Sequence, residues 1–136
     1  MRRLLIEVKP VIAKPFTGSV LVIDRYISFY GEVDVENSVY KPLNIHIANK
    51  VLVFKGSRGS TVGSYVIYGL SKRGGAPIAM IVKNLDPVLV SGCVLTDIPL
   101  LVAQNYDDLI KNLSQSSTSG LKATYRGGSY VEIEEQ

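Results

Sequence analysis

Serine and threonine hydroxyls surround a single arginine in a glycine-rich stretch of this chain, residues 55–64, with the sequence KGSRGSTVGS. The stretch follows an apolar run at residues 51–54 and opens an amphipathic run that ends near Lys72, which predicts a strand, a turn and a helix. Backbone N–H groups at a helix start hold anions, and the guanidinium of Arg58 can bind a carboxylate or phosphate through two hydrogen bonds. The sequence therefore predicts a binding site for an anionic small molecule at this turn.

The spacing of the glycines excludes two common phosphate-binding motifs. A P-loop requires Gly-Lys followed by Ser or Thr, whereas here the lysine precedes the glycines. The dinucleotide motif requires Gly-x-Gly-x-x-Gly, whereas these glycines fall at positions 56, 59 and 63. A second interpretation stays open on the local sequence alone: a plain strand-to-helix connection with serine caps and glycines that permit a tight turn.

The composition is that of a globular protein with one domain. The chain has 136 residues, of which 46% are hydrophobic and 20% charged. Its apolar runs are broken by Gly, Pro or Asp before the length of about 18 residues that a membrane span needs. The first residues lack the pattern of a signal peptide, and the single cysteine excludes an internal disulfide, so we expect the cytoplasm. The net charge of +3 is spread along the chain, which argues against a nucleic-acid partner.

Hydrophobic periodicity predicts an α/β chain in which strands predominate. Predicted strands cover residues 4–8, 19–23, 51–54, 77–82 and 99–103, with a closing strand that includes residue 124 and residues 129–134. Predicted helices cover residues 62–70 and 106–113, and predicted irregular segments cover residues 10–18, 31–39 and 114–120. The order strand, helix, strand over residues 51–82 predicts a parallel crossover.

The segment after Asp86-Pro87 is ambiguous. Asp86 is a suitable N-cap and Pro87 a suitable first helical residue, which predicts a short helix to about Leu95. The valines of this segment favour a strand instead.

Residues 56–65, with the sequence GSRGSTVGSY, resemble the swivel domain, or small subunit, of the aconitase X family. Further segments of the chain are similar to that family in the same order, and the resemblance runs from about residue 14 to residue 102. These segments are Ile27-Ser28-Phe29, Gly31-Glu32-Val33-Asp34, Ala76-Pro77, Asp86-Pro87-Val88-Leu89 and Ile98-Pro99-Leu100.

The resemblance implies a swivelling β/β/α domain that spans residues 1–136. It also implies a partner, a larger aconitase-like subunit that holds a 4Fe-4S cluster, in a heterodimer or higher assembly. A small subunit that is a separate chain, as here, is similar to the small subunit of an archaeal hydro-lyase. The resemblance therefore implies dehydration of (R)-5-phosphomevalonate to trans-anhydromevalonate 5-phosphate, in the mevalonate route to isoprenoids. Two alternatives stay open: a family member that acts on hydroxyprolines, and a non-catalytic module that binds a phosphorylated metabolite or a partner peptide.

The cysteine content agrees with a cluster held by another chain. A cubane cluster needs about three or four cysteine thiolates, and this sequence has only Cys93. We expect Cys93 to be a small buried hydrophobic residue. His46 stands alone between isoleucines, without a second metal ligand at a suitable spacing, so we assign no metal ligand to this chain.

Dehydration of a 3-hydroxy acid needs a base that removes the proton beside the carboxylate. A serine can act as this base where N–H groups and a cation stabilise its alkoxide. The resemblance assigns that role to Ser60, because the base of aconitase-type enzymes is a serine that follows a glycine in such a turn. The alternative role of Ser60 is a helix N-cap.

The other residues of the turn are predicted to bind substrate. Arg58 would contact its carboxylate or phosphate, and Gly59 would allow close approach of the backbone. The hydroxyls of Ser57, Thr61 and Ser64 are candidate hydrogen-bond donors to the substrate or alternative bases. Glu32 and Asp34 are expected to be solvated loop charges instead of site residues.

Overall fold

The computed structural model describes residues 3–114 and 120–136. These residues form mostly strands, with four helices. The strands are β1 Arg3–Ile12, β2 Phe16–Ile27, β3 Val33–Asp34, β4 Val39–Tyr40, β5 Ile45–His46, β6 Lys50–Ser57, β7 Ala79–Val82, β8 Leu100–Ala103, β9 Leu121–Tyr125 and β10 Tyr130–Glu135. The helices are α1 Phe29–Glu32, α2 Gly63–Lys72, α3 Pro87–Thr96 and α4 Tyr106–Ser114, and a 3-10 turn covers Lys41–Leu43.

Seven strands close into a barrel in the order β1-β10-β9-β2-β6-β7-β8. Strands β2, β6, β7 and β8 are parallel. The chain returns through α1 and the segment of β3, β4 and β5 between β2 and β6, through α2 between β6 and β7, and through α3 between β7 and β8. The parallel crossover predicted for residues 51–82 is therefore confirmed. Strands β3, β4 and β5 form a small separate sheet. The carboxyl ends of the parallel strands meet at one edge of the barrel, and the glycine-rich stretch follows β6 at this edge.

Strand β6 separates two hydrophobic cores. Val51 and Val53 belong to the cluster inside the barrel, which α4 covers at one end. Leu52 and Phe54 belong to a second cluster beneath α2 and α3. All four of these side chains are fully buried, as expected for a parallel strand covered on both faces.

The helix predictions are confirmed. Residues 62–70 correspond to α2, and residues 106–113 correspond to α4. The segment after Asp86 is the helix α3 and not a strand, and Asp86 caps it by accepting a hydrogen bond from the Leu89 N–H. The valines do not prevent this helix, because burial of its inner face outweighs their intrinsic preference for a strand.

Some predicted boundaries are wrong. The connection predicted at residues 10–18 is limited to residues 13–15, since Pro10 lies in β1 and Gly18 in β2. Pro10 is tolerated because the register of β1 shifts between Pro10 and Ile12. The loop predicted at residues 31–39 contains the end of α1 and all of β3, and the closing strand is two antiparallel strands, β9 and β10. Residues 115–119 of the predicted serine-rich loop lie outside the described residues.

Close packing of α2 on α3 depends on Gly92. A β-carbon at residue 92 would lie 2.7 Å from Ile67 Cδ1 and 3.0 Å from Ile67 Cβ. We expect Gly92→Ala to lower the free energy of unfolding by about 1–2 kcal/mol, because the strain exceeds the gain in helix propensity. Chemical denaturation measures this change. The exposed neighbour variant Ser91→Ala should change it by less than about 0.5 kcal/mol, and equal stability of both variants would contradict the packing argument.

Candidate active site

The glycine-rich loop leaves β6 through backbone conformations that favour glycine. Gly56 has φ +149° and Gly59 has φ +88°. A β-carbon on Gly56 would lie 2.9 Å from the Asn84 carbonyl oxygen, and one on Gly59 would lie 2.8 Å from Ser28 Oγ. The two glycines therefore let the loop backbone pack closely against Asn84 and Ser28, in conformations that a residue with a β-carbon rarely adopts.

Asp86 anchors the start of the loop. Its Oδ2 accepts a hydrogen bond of 3.0 Å from the Ser57 N–H, and its Oδ1 accepts one of 3.1 Å from the Leu89 N–H. One carboxylate thus caps α3 and holds the end of β6. The sequence indicated the cap but not the contact to Ser57, which lies 29 residues away along the chain.

Arg58 is anchored at both its backbone and its side chain. Its N–H donates to the Ile27 carbonyl oxygen at 3.0 Å. Its Nη2 donates to Glu32 Oε2 at 2.9 Å, and its side chain is 56% exposed. One guanidinium nitrogen is therefore held by the protein, while more than half of the side chain faces solvent.

The expectation that Glu32 is a solvated loop charge is wrong. Its side chain is only 20% exposed, because residue 32 ends the helix α1, which packs near α2. Besides Arg58, Glu32 binds the Ser28 N–H through Oε1 at 2.8 Å. Asp34 is also engaged: its carboxylate accepts hydrogen bonds from Asn37 and from the Glu36 N–H, and the bonds from Asn37 lower the pKa of Asp34.

Ser60 precedes α2 and is exposed. Its Oγ accepts a hydrogen bond of 3.1 Å from the Val62 N–H. The N-cap of α2 is Val62, which makes no side-chain cap, so Ser60 stabilises a turn before the helix instead of capping the helix itself. Ser64 donates its hydroxyl hydrogen to the Thr61 carbonyl oxygen at 3.2 Å.

Three consecutive N–H groups of the loop are available for a ligand. Within residues 3–114 and 120–136, the N–H groups of Gly59, Ser60 and Thr61 have no hydrogen-bond acceptor. They lie beside the Arg58 guanidinium along the chain. Adjacent N–H groups near a cation stabilise negative charge, so this segment suits a carboxylate, a phosphate or a developing alkoxide.

The predicted site residues run from Ser57 at the end of β6, through the loop at residues 58–62, to Ser64 in the first turn of α2. The described ranges contain no group of three or more His, Cys, Asp or Glu residues that could hold a metal ion. Cys93 is fully buried, as predicted, and burial raises the pKa of its thiol to about 12. His46 is exposed, and its Nδ1 lies 3.2 Å from the Asn37 carbonyl oxygen. These residues do not fit an iron–sulfur cluster on this chain.

The structure is a closed barrel with four parallel strands, with α2 and α3 packed outside it and a glycine-rich loop after the parallel strand β6. The family model of the aconitase X swivel domain matches residues 5–130, and the chain belongs to this family. Among curated relatives is the phosphomevalonate dehydratase small subunit of Aeropyrum pernix, 39% identical over 128 residues that cover 92% of this chain and 89% of the relative. The corresponding small subunit of Methanopyrus kandleri is 39% identical over 116 residues, with 80% and 85% covered.

Solved structures confirm the fold. The holo-form crystal structure of aconitase X from Thermococcus kodakaraensis has a TM-score of 0.82 and 32% identity, with 96% of this chain and 98% of that chain covered. A solution NMR structure of a UPF0107 protein has a TM-score of 0.80 and 29% identity, with 97% and 100% covered. The resemblance deduced from residues 56–65 is therefore confirmed at the level of family and fold. The catalytic and binding roles assigned to Ser60, Arg58, Ser57, Thr61, Ser64 and Gly59 stay predictions.

Family membership and the relatives' names bear on the cofactor and the partner. An aconitase-like family indicates an iron–sulfur cluster in the working enzyme. The term small subunit in the relatives' names implies a large partner subunit. Among the helices of residues 3–114 and 120–136, none has the length and apolar character to cross a membrane.

The double contact of Asp86 generates a stability prediction. We expect Asp86→Ala to lower the free energy of unfolding by about 1–3 kcal/mol, because it removes the α3 cap and leaves the Ser57 N–H without an acceptor. Urea denaturation measures the change. Asp107→Ala is the control, since its ion pair with Lys83 is 78% exposed on the aspartate side and contributes less than about 1 kcal/mol. Equal losses in the two variants would show that Asp86 does not anchor the loop.

Proposed function

We propose that this chain, as a single swivel domain, is the small subunit of a two-subunit hydro-lyase. The proposed reaction is the dehydration of (R)-5-phosphomevalonate to trans-anhydromevalonate 5-phosphate, within the archaeal mevalonate pathway for isoprenoids. The observation that carries this proposal is the 39% identity with a phosphomevalonate dehydratase small subunit over 92% of the chain. The exposed hydroxyls and the guanidinium of the glycine-rich loop support it, because the substrate carries a carboxylate and a phosphate.

We place the 4Fe-4S cluster on the large subunit. The whole sequence has one cysteine, Cys93, and its thiol is buried among apolar side chains. A cluster needs about three or four thiolates, so its ligands must come from another chain. A reducing cytoplasm suits both this cluster and a chain without a disulfide.

The large subunit would cover the surface beside the glycine-rich loop. Large apolar side chains are exposed there: Tyr30 is 63%, Val62 43% and Tyr65 70% exposed. Tyrosines are enriched at protein interfaces because they combine a large apolar area with a polar tip. If the large subunit holds the cluster, it must approach from this side, since the loop has to reach the substrate bound there.

Ser60 would be the base that removes the proton from the carbon beside the carboxylate. Its Oγ already accepts a hydrogen bond from the Val62 N–H, which favours the alkoxide over the neutral hydroxyl. The N–H groups of the loop and the nearby Arg58 would add to this stabilisation. The proton would move from the substrate carbon to Ser60 Oγ.

Arg58 and the neighbouring hydroxyls would hold the substrate. Nη2 of Arg58 binds Glu32, so the remaining donors of the guanidinium fork stay available for a carboxylate or phosphate. Ser57 and Thr61 would donate hydrogen bonds, and Gly59 would let the backbone approach the ligand closely. Ser64 would donate to the substrate after giving up its bond to the Thr61 carbonyl oxygen. These contacts would orient the substrate so that the proton faces Ser60.

Co-expression with the large subunit under anaerobic conditions tests the proposed function. The purified complex should release water from 5-phosphomevalonate, and this chain alone should not, because it lacks cluster ligands. Turnover by the isolated chain would contradict the two-subunit assignment. A complex that dehydrates only a hydroxyproline would contradict the proposed substrate and favour the hydroxyproline class of the family. A complex that binds 5-phosphomevalonate without turnover would favour a non-catalytic binding module.

Ser60→Ala tests the proposed base within the complex. We expect turnover to fall about a hundredfold or more while the complex still assembles and binds substrate, because a general base is lost. Solvent deuterium exchange at the carbon beside the carboxylate should disappear in parallel. If Ser60 only stabilises the turn through its hydrogen bond from the Val62 N–H, the variant loses about 0.5–1.5 kcal/mol of stability and retains turnover at low temperature. Ser71→Ala, farther along α2, is the control and should behave as the unmodified complex.

A further inference from the structure

We propose that Glu32 is a positioning residue that orients Arg58 for the substrate. This inference rests on the proposed function, because it concerns the affinity of the same loop for an anionic substrate. Glu32 was expected to be a solvated charge, yet it is the more buried partner of the ion pair: its side chain is 20% exposed, whereas that of Arg58 is 56% exposed. The pair is thus fixed at its carboxylate end and open at its guanidinium end.

The carboxylate of Glu32 is itself held in place. Its Oε1 accepts a hydrogen bond of 2.8 Å from the Ser28 N–H, and its backbone N–H donates to the Ser28 carbonyl oxygen at 2.7 Å. The other oxygen, Oε2, accepts the hydrogen bond from Arg58 Nη2 at 2.9 Å. Because Oε1 is bonded to the backbone, the position of Oε2 is fixed as well. The hydrogen bond from Nη2 to Oε2 then limits the orientations of the Arg58 guanidinium.

The backbone of the loop is fixed to the same short segment. The Arg58 N–H donates to the Ile27 carbonyl oxygen at 3.0 Å. Gly59 lies so close to Ser28 that a β-carbon would come within 2.8 Å of Ser28 Oγ. Both ends of Arg58 are therefore tied to residues 27–32, which form one platform for the loop.

Glu32 has two opposite effects on the affinity of Arg58 for an anionic substrate: it orients the guanidinium, and its negative charge competes with the substrate. We expect the orienting effect to be larger. A free arginine must lose the freedom of its long side chain when it binds an anion, and a preorganised arginine loses less. A neighbouring carboxylate also weakens the field of the guanidinium. Here the hydrogen bond from the Ser28 N–H to Glu32 Oε1 partly offsets the negative charge of the carboxylate. Only one nitrogen of the Arg58 guanidinium, Nη2, is bonded to Glu32. We therefore expect the ion pair to raise affinity for the substrate.

Glu32→Gln in the assembled two-subunit complex tests this inference. The amide keeps the shape of the side chain but has one acceptor oxygen for two donors, so Arg58 or Ser28 loses its partner. We expect KM to rise about tenfold, as for one weakened charge-assisted contact, with kcat changed less than about threefold. The control is Glu36→Gln, whose exposed side chain makes no hydrogen bond within the described residues, and its KM should not change.

A double-mutant cycle with Arg58→Ala separates positioning from stability. If Glu32 acts through Arg58, Glu32→Gln should raise KM no further in the Arg58→Ala background. Additive effects on KM, a lowered melting temperature with unchanged KM, or a lower KM in Glu32→Gln would each overturn the inference.

A readout that does not need turnover keeps this inference distinct from the proposed function. The side-chain NMR signals of Arg58 should be resolved in the unmodified chain, because the guanidinium is held, and should broaden or merge in Glu32→Gln. Absence of turnover in the unmodified complex would contradict the proposed function, and the NMR comparison would still decide the role of Glu32. Identical Arg58 signals in both chains would overturn that role.

Discussion

Strand β6 is buried on both faces, and its burial determines where the glycine-rich loop emerges. The side chains of Val51 and Val53 pack inside the barrel, and those of Leu52 and Phe54 pack beneath the helices. Each such side chain stabilises the fold by about 1.5–3 kcal/mol. A shift of one residue would exchange the two faces and place every side chain in the wrong core. The end of β6 therefore stands at one fixed position at the barrel edge, and so does the loop that begins there.

Long-range contacts convert this fixed position into a fixed loop conformation. Asp86 holds the Ser57 N–H, Ile27 holds the Arg58 N–H, and Glu32 holds the Arg58 side chain. These partners lie on two segments of the chain, residues 27–32 and the start of α3, so the loop is held from two sides. A site that stabilises developing charge works best when its dipoles are already oriented before the substrate arrives. The proposed role of the loop would use such orientation, and Gly59, Ser60 and Thr61 stay exposed within it.

Much of the local structure could be predicted from the sequence. The helix after the glycine-rich stretch and the cap at Asp86 follow from signals within about ten residues, such as apolar spacing and capping residues. The parallel crossover follows from the order of strand, helix and strand over residues 51–82. The boundaries of β1 and β2 could not, because Pro10 and Gly18 are ordinary loop residues. A register shift and a barrel neighbour make them acceptable within strands. The two strands at the carboxyl-terminal end were predictable as separate, since Gly127-Gly128 forms a bend between β9 and β10 and Gly127 has φ +101°.

The sequence by itself determined the content of the candidate site: which hydroxyls, glycines and guanidinium stand together. It also shows that the single cysteine supplies fewer thiolates than a cubane cluster needs. Only the tertiary structure decided how these groups are held. Glu32 meets Arg58 across 26 residues, and Asp86 meets Ser57 across 29 residues. No periodic pattern marks such pairs, because neither partner's neighbours in sequence indicate where the fold will bring it. Barrel closure and the placement of α1 beside the loop create these contacts, and they bring Glu32, which the sequence predicted to be a solvated loop charge, against Arg58.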